Sequence, residues 1–251
     1  MDLLPGVLLP VVGVYIPGWM LVAIAAATLL TWRRRRARRG EIAQRRAEAA
    51  AHGQAFTIAI SNDRSESTWQ GTQDGVDWVV QSRRWDPAVG YRRSDDQTQV
   101  QPLTRVRLPA LPGVHGRSVL GLAAGTGRAS GEASGLVGRL ATGAAEAAAR
   151  FAASQAFGRF DEGVELASLA RVPDPDGQLG LVFSDAPDEA VTLQRRLAAL
   201  AAHDAGLMGT PVVLATPDRL VLVWRDRATV DAAAAAEAAT HAIALRAALL
   251  A

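Results

Sequence analysis

The sequence predicts an α+β protein: an N-terminal transmembrane helix, then a mostly antiparallel β unit, then a C-terminal β-α-β-β-α layer. Three observations predict it. No charged residue occurs between Leu3 and Trp32. From Ala55 onward short β-branched runs surround an Asp-Gly pair, the strongest local signal for a two-residue hairpin. The last third alternates strand-length apolar runs with two longer runs of helical period.

The N-terminal segment "LLPGVLLPVVGVYIPGWMLVAIAAATLLTW" is long enough to cross a bilayer core of ~30 Å, which takes ~20 apolar residues as a helix. A cleaved signal peptide would open with positive charge and end at a small-residue cleavage site. This segment opens with Asp2 and runs into arginines, so a retained anchor is expected. Pro17 suits a first helical turn, where its missing N–H costs nothing. Pro17 to Trp32 reaches only about 24 Å at ~1.5 Å per residue, so part of Val7 to Ile16 is expected in the membrane as a kinked or looser turn. Trp19 and Trp32 suit the membrane interfaces. Ala23, Ala27 and Thr31 recur at four-residue spacing and predict a face on which another membrane helix packs.

Directly after Trp32 stand Arg33, Arg34, Arg35, Arg36, Arg38 and Arg39. Arginines flanking a span stay on the cytoplasmic side, so the N-terminus is expected outside and the main domain in the cytoplasm of a bacterial inner membrane. The same collar attracts anionic lipid headgroups, at about 1 kcal/mol per residue near the surface. Within residues 1–46 eight arginines stand against Asp2 and Glu41, while the remainder holds more acids than arginines. A nucleic-acid-binding domain needs its positive field on the folded face, so no nucleic-acid partner is expected. The "GEIAQRRAEAAAH" segment has strong helix formers and an i, i+4 pair in Glu41 and Arg45. It should extend the helix as a stalk to about Ala51, where Gly53 ends it.

The organisation expected is therefore an anchor over 1–32, a collar and stalk over 33–52, a small β-rich unit over 53–113, a Gly/Ala-rich connection with an amphipathic helix over 114–158, and an α+β unit over 159–251. Within the β unit Val76, Trp78 and Val80 alternate with Asp77 and Gln81, and Pro102 argues for an edge or a bulge in the strand that follows. In the connection, Leu136, Leu140, Ala144, Ala147 and Phe151 recur at helical spacing opposite Arg139, Glu146 and Arg150. The α+β unit reads "LGLVFS", "APDEAVTLQRRLAALAAHDAGL", "TPVVLA", "RLVLVW" and "ATVDAAAAAEAATHAIALRAALLA", with Asp185 a candidate N-cap.

Chemistry is hard to find. With no cysteine, thiolate metal sites, disulfides and cysteine nucleophiles are excluded. With no lysine, Schiff-base chemistry and a Walker A loop are excluded too. Gly125, Gly127 and Gly131 are spaced GxGxxxG and miss the dinucleotide fingerprint. Asp174 and Asp176 resemble the start of a calcium loop, but its later ligands are missing. His52, His115, His203 and His241 lie at no ligand spacing. No catalytic, cofactor-binding or metal residue is therefore assigned, and no cofactor is expected. The reading that follows is a non-catalytic single-pass membrane subunit whose cytoplasmic domain stabilises or links other subunits of a larger membrane complex. Its alternatives are an anchored regulatory or ligand-binding module and a membrane-tethered enzyme.

Overall fold

The computed structural model describes residues 7–9, 14–61, 64–85, 103–122, 143, 146–151, 153, 157, 168–173, 181–203, 211–225 and 229–251. It divides into two compact units, Met1–Glu48 and Ala49–Ala251.

The first unit holds β1 (Val7–Leu9), β2 (Val14–Ile16) and most of α1 (Gly18–Ala51). The looser helical turn expected over Val7 to Ile16 is replaced by a hairpin. Val7 pairs with Ile16 and Leu9 with Val14 in antiparallel register. The physical reason lies in the residues: Pro10 removes a helical donor, and Val14, Tyr15 and Ile16 are β-branched or aromatic. α1 then runs unbroken for 34 residues, through the arginines and into the stalk. It ends where the glycine demands. Gly53 takes φ +67°, the Gln54 N–H donates to the Ala49 carbonyl at 2.8 Å and the Gly53 N–H to that of Ala50 at 3.0 Å, a Schellman closure.

The second unit is built on one nine-stranded sheet in which every pairing is antiparallel. Its strands are β3 (Ala55–Ser61), β4 (Arg64–Gln73), β5 (Val76–Trp85), β6 (Leu103–Pro109), β7 (Ser118–Leu122), β8 (Ala170–Arg171), β9 (Leu181–Ser184), β10 (Val212–Ala215) and β11 (Arg219–Arg225), in the spatial order 3-4-5-6-11-10-7-9-8. Asp74 and Gly75 both take positive φ, 53° and 74°, which the tight turn joining β4 to β5 requires. β6, expected at an edge or bulge on account of Pro102, lies inside the sheet between β5 and β11. Pro102 itself lies outside the described residues, and the buried run Leu103 to Val106 suits the interior position.

The C-terminal elements keep the chain order β9, α3 (Pro187–His203), β10, β11, α4 (Ala232–Leu250), but they do not form a layer of their own. β11 takes β6 as its second neighbour, and β7 lies between β10 and β9. The reason is that β11 is apolar on both faces: Leu220, Leu222 and Trp224 alternate with Val221 and Val223, all buried, so it needs the interior of a wide sheet.

One row of side chains holds the first face together. Phe56, Trp69, Val80, Val106, Leu222, Val213 and Leu120 are opposite one another across seven successive strands, and all are buried. α3 covers this face with Ala190, Leu193 and Leu197, and α4 with Ala232, Ala235, Ala238, Ala239 and Ala242. Alanine lets the α4 backbone come close to large residues such as Trp78 and Trp224 in the same cluster. Asp231 caps α4, its Oδ1 accepting from the Ala234 N–H at 2.8 Å.

On the second face, Val119, Leu181, Phe183, Val212, Leu214, Val221 and Val223 meet Ala149, Ala153 and Phe157. The described helical run 146–151, α2, presents a different side from the one its sequence pattern suggests. Ala149 is buried, while Ala147 is exposed and Phe151 is 65% exposed. Arg150 instead lies over the Phe183 ring, its Cζ 4.3 Å from the centroid, and is held by Glu146 at 3.0 Å. The buried stripe is the one through Ala149, Ala153 and Phe157, at four-residue spacing, and Arg150 stands beside it. Leu136, Leu140, Ala144 and Arg139 of the expected pattern lie outside the described residues.

Candidate functional site: an apolar helix with an arginine collar

The sequence-assigned residues all fall on α1. From Trp19 to Trp32 its side chains face outward: Trp19, Val22, Ile24, Leu29, Leu30 and Trp32 are each more than half exposed. Ala23, Ala27 and Thr31 are exposed too and share one helix face by their spacing. The two threonine hydroxyls here are satisfied within the helix. Thr28 Oγ1 donates to the Ile24 carbonyl at 2.7 Å, and Thr31 Oγ1 contacts the carbonyls of Ala27 at 2.7 Å and Thr28 at 2.8 Å. Such back-bonding lets a hydroxyl enter an apolar medium without an unmet donor.

Arg33, Arg34, Arg35, Arg36 and Arg39 are exposed, and Arg38 is half-buried. Six cations in seven positions encircle a helix of 3.6 residues per turn, so the collar has no single face. Arg36 folds back over Trp32, its Cζ 5.4 Å from the ring centroid. Further along, Arg45 and Glu41 form the expected i, i+4 pair at 2.7 Å.

Of the described helices one, α4, is long and apolar enough to cross a membrane by length and composition; α1, whose apolar run gives way to arginines at Arg33, is not. The buried residues of α4 pack on the sheet, and that is the behaviour of a core helix.

The body carries two ordered acid clasps. Asp185 accepts from both the backbone N–H and the Nε of Arg117, the latter at 2.9 Å. Partial burial pushes its carboxyl up, but the hydrogen bonds and charge of Arg117 outweigh this and hold it below the ordinary value. Ser184, not the expected Asp185, reaches the start of α3: its Oγ accepts from the Ala186 N–H at 2.8 Å. Asp218 is likewise held low, first by the Thr216 hydroxyl at 2.6 Å, with Arg219 and Arg107 adding attraction against a smaller burial effect.

Among the described residues no three His, Asp or Glu side chains come together to hold a metal. His52 and His115 are exposed and His241 is half-buried. Sequence reasoning passed over Arg83, Arg105 and Arg107, which share the second sheet face. The signal was present, since "LTRVRL" alternates arginine with Val106 and Leu108 of the first face.

No protein-family model matches the chain, and no curated protein matches it. A solved structure described as the crystal structure of the mycobacterial trehalose monomycolate transport factor A, TtfA, is similar over 83% of this chain and 94% of that chain, at 13% identity and a TM-score of 0.41.

Proposed function

We propose that the protein is a non-catalytic accessory subunit of a bacterial inner-membrane complex. In this reading α1 crosses the membrane once, the N-terminus is outside, and the sheet domain lies on the cytoplasmic side against partner subunits. The observation that carries the reading is the outward-facing apolar run of α1 abutting its arginine collar. In water that surface would be a large unsatisfied patch; in a bilayer it is matched to its solvent, and the collar meets anionic headgroups.

Partner subunits, as opposed to lipid alone, are favoured by the dimensions. Gly18 to Trp32 reaches roughly 22 Å at ~1.5 Å per residue, short of a core of ~30 Å. A two-stranded hairpin placed in the remaining depth has outer-edge amides that hydrocarbon cannot satisfy. Neighbouring membrane segments packed on the hairpin and on the Ala23, Ala27 and Thr31 face meet both requirements. Solubilisation in a mild detergent followed by native electrophoresis should give a species well above the 26.4 kDa of the chain, with other membrane proteins in the band. Migration only as the free chain under the gentlest conditions would overturn the proposal.

A further inference from the structure

The two ends of the nine-stranded sheet are built differently. β8, at one end, is two residues long and carries Arg171. β3, at the other, has seven residues, "AFTIAIS", with no charge, no proline and no glycine. Short length, charged side chains and proline are the devices that keep a sheet edge from pairing with another chain, and β3 has none of them. Among the described residues no strand lies beyond it.

Which β3 amides point outward follows from the turns. Ser61 faces Arg64 across two intervening residues, and the pair flanking a two-residue turn exchanges both of its hydrogen bonds. Counting back in twos, Ser61, Ala59, Thr57 and Ala55 bond inward to β4, so Phe56, Ile58 and Ile60 direct their N–H and C=O outward. The next turn gives the same parity: Gln73 pairs with Val76, so the odd residues of β4 serve β5 and the even ones, Arg64 to Gln70, serve β3. Side chains follow the alternation. Phe56 is buried and Ile58 half-buried against the first-face core, while Ala55, Thr57 and Ala59 are exposed.

Such an edge is its own antiparallel complement. Turned about a two-fold axis through Ile58, a second copy sets Ile58 against Ile58, Phe56 against Ile60 and Thr57 against Ala59. Every outward N–H then meets an outward C=O, about six bonds in all, whereas registers centred on Thr57 or Ala59 use only two of the three outward residues in each strand. Charge agrees with this occupant. Like charges directly opposed penalise self-pairing, and a strand without charges does not repel its own image. Ile58, left half-buried by its own core, gains its counterpart as an apolar neighbour. We propose that β3 is a homodimer interface, pairing with β3 of a second copy in the register centred on Ile58, so that two nine-stranded sheets run on as one. The contact is isologous and closes at two copies. It requires neither a bilayer nor another subunit, and it stands or falls separately from the accessory-subunit reading.

The test uses the purified full chain in mild detergent, and the absence of native cysteine leaves introduced ones without background. In this register Thr57 and Ala59 of opposite copies form a non-hydrogen-bonded pair with Cα atoms about 4.5 Å apart, within disulfide reach, while two copies of Thr57 or of Ala59 stand on diagonals of roughly 7 to 8 Å. Differently tagged chains carrying Thr57→Cys and Ala59→Cys, coexpressed and mildly oxidised, should join to each other several-fold more than either joins to itself. Charge supplies the second arm, at two exposed positions that the fold tolerates. Thr57→Lys with Ala59→Lys opposes like charges twice across the axis and should weaken the dimer about tenfold, read by sedimentation. Thr57→Glu with Ala59→Lys opposes unlike charges and should restore it, and thermal midpoints matching wild type show that neither pair acts by unfolding. A dimer held by α1 alone is indifferent to both pairs of substitutions, and that result overturns the proposal. So does a mixed sample that forms no more disulfide than the single variants. A strand of a different protein seated on β3 shows as a heavier co-purifying species that the double-lysine variant loses while no chain-to-chain disulfide forms, and this too overturns it.

Discussion

A single carboxylate shows how local chemistry holds the sheet to α3. Asp185 ties the strand entry at Arg117 to the segment that opens α3, and the His115 N–H donates to Glu189 on the same helix at 3.1 Å. Because its folded pKa is depressed, its contribution is complete above the unfolded carboxylate range and is lost as pH falls from about 4 through the folded value. Asp185→Asn should therefore lower stability near pH 7 by about 1 kcal/mol, a figure kept small because both partners are over a third exposed. The gap to wild type should close below about pH 4, measured as urea midpoints across pH. A constant gap at all pH values would show that the charge is not what the clasp uses. Glycine supplies the second residue-scale test. Gly121 has φ +72°, and a Cβ there would lie 2.3 Å from the Pro211 carbonyl oxygen, whereas Gly53 has φ +67° with open space around it. Gly121→Ala should cost about 2 to 3 kcal/mol and Gly53→Ala about 1, seen as unequal drops in thermal midpoint.

At the scale of elements, α4 is an alanine helix that works by being thin. Ala235 is 0% exposed and faces the sheet, while Ala233 faces solvent. Ala235→Leu should overpack the interface and cost about 1 to 3 kcal/mol, and Ala233→Leu should stay within about 0.5. Equal midpoints for the two in chemical denaturation would mean that α4 can shift to make room. The same helix shows what the sequence makes legible. Its helical period is a local property, as are the Asp74-Gly75 turn and the Gly53 stop, so one stretch of chain suffices to read them; its Asp231 cap is local too but was passed over. Which strand pairs with which is not local. The run "RLVLVW" announces burial on both faces but does not name β6 as its neighbour, so the division into separate β and α+β segments missed the single sheet. The collar was legible because six consecutive-range arginines need no partner to be recognised. The shared face of Arg105 and Arg107 was open to reading from their alternation, but Arg83 joins it only once β5 and β6 pair in a particular register. α2 was misread for a related reason: in an alanine-rich stretch two stripes have helical spacing, and only the sheet it meets selects Ala149, Ala153 and Phe157 over Ala147 and Phe151.

For the whole molecule, the proposed orientation follows from the cost of moving charge through hydrocarbon. Insertion scales place an arginine at a helix centre at about +2.5 to +3.5 kcal/mol, and the collar presents six on one flank of the apolar run, while the other flank offers only Asp2. Exporting the collar would multiply that cost, so the sheet domain should stay where the ribosome delivers it. Protease added to inverted membrane vesicles should digest residues beyond the collar, and intact spheroplasts should protect them. Replacing Arg33, Arg34, Arg35, Arg36, Arg38 and Arg39 with glutamine should produce a mixed population in which a fraction becomes accessible from outside. The sheet domain should nevertheless keep its melting transition, because its core clusters draw on no collar residue. An unchanged orientation in that variant would assign topology to the apolar helix and the folded domain, and would remove the collar from that role. A wild-type domain cleaved in intact spheroplasts would place the sheet outside the cytoplasm and require partners in the periplasm.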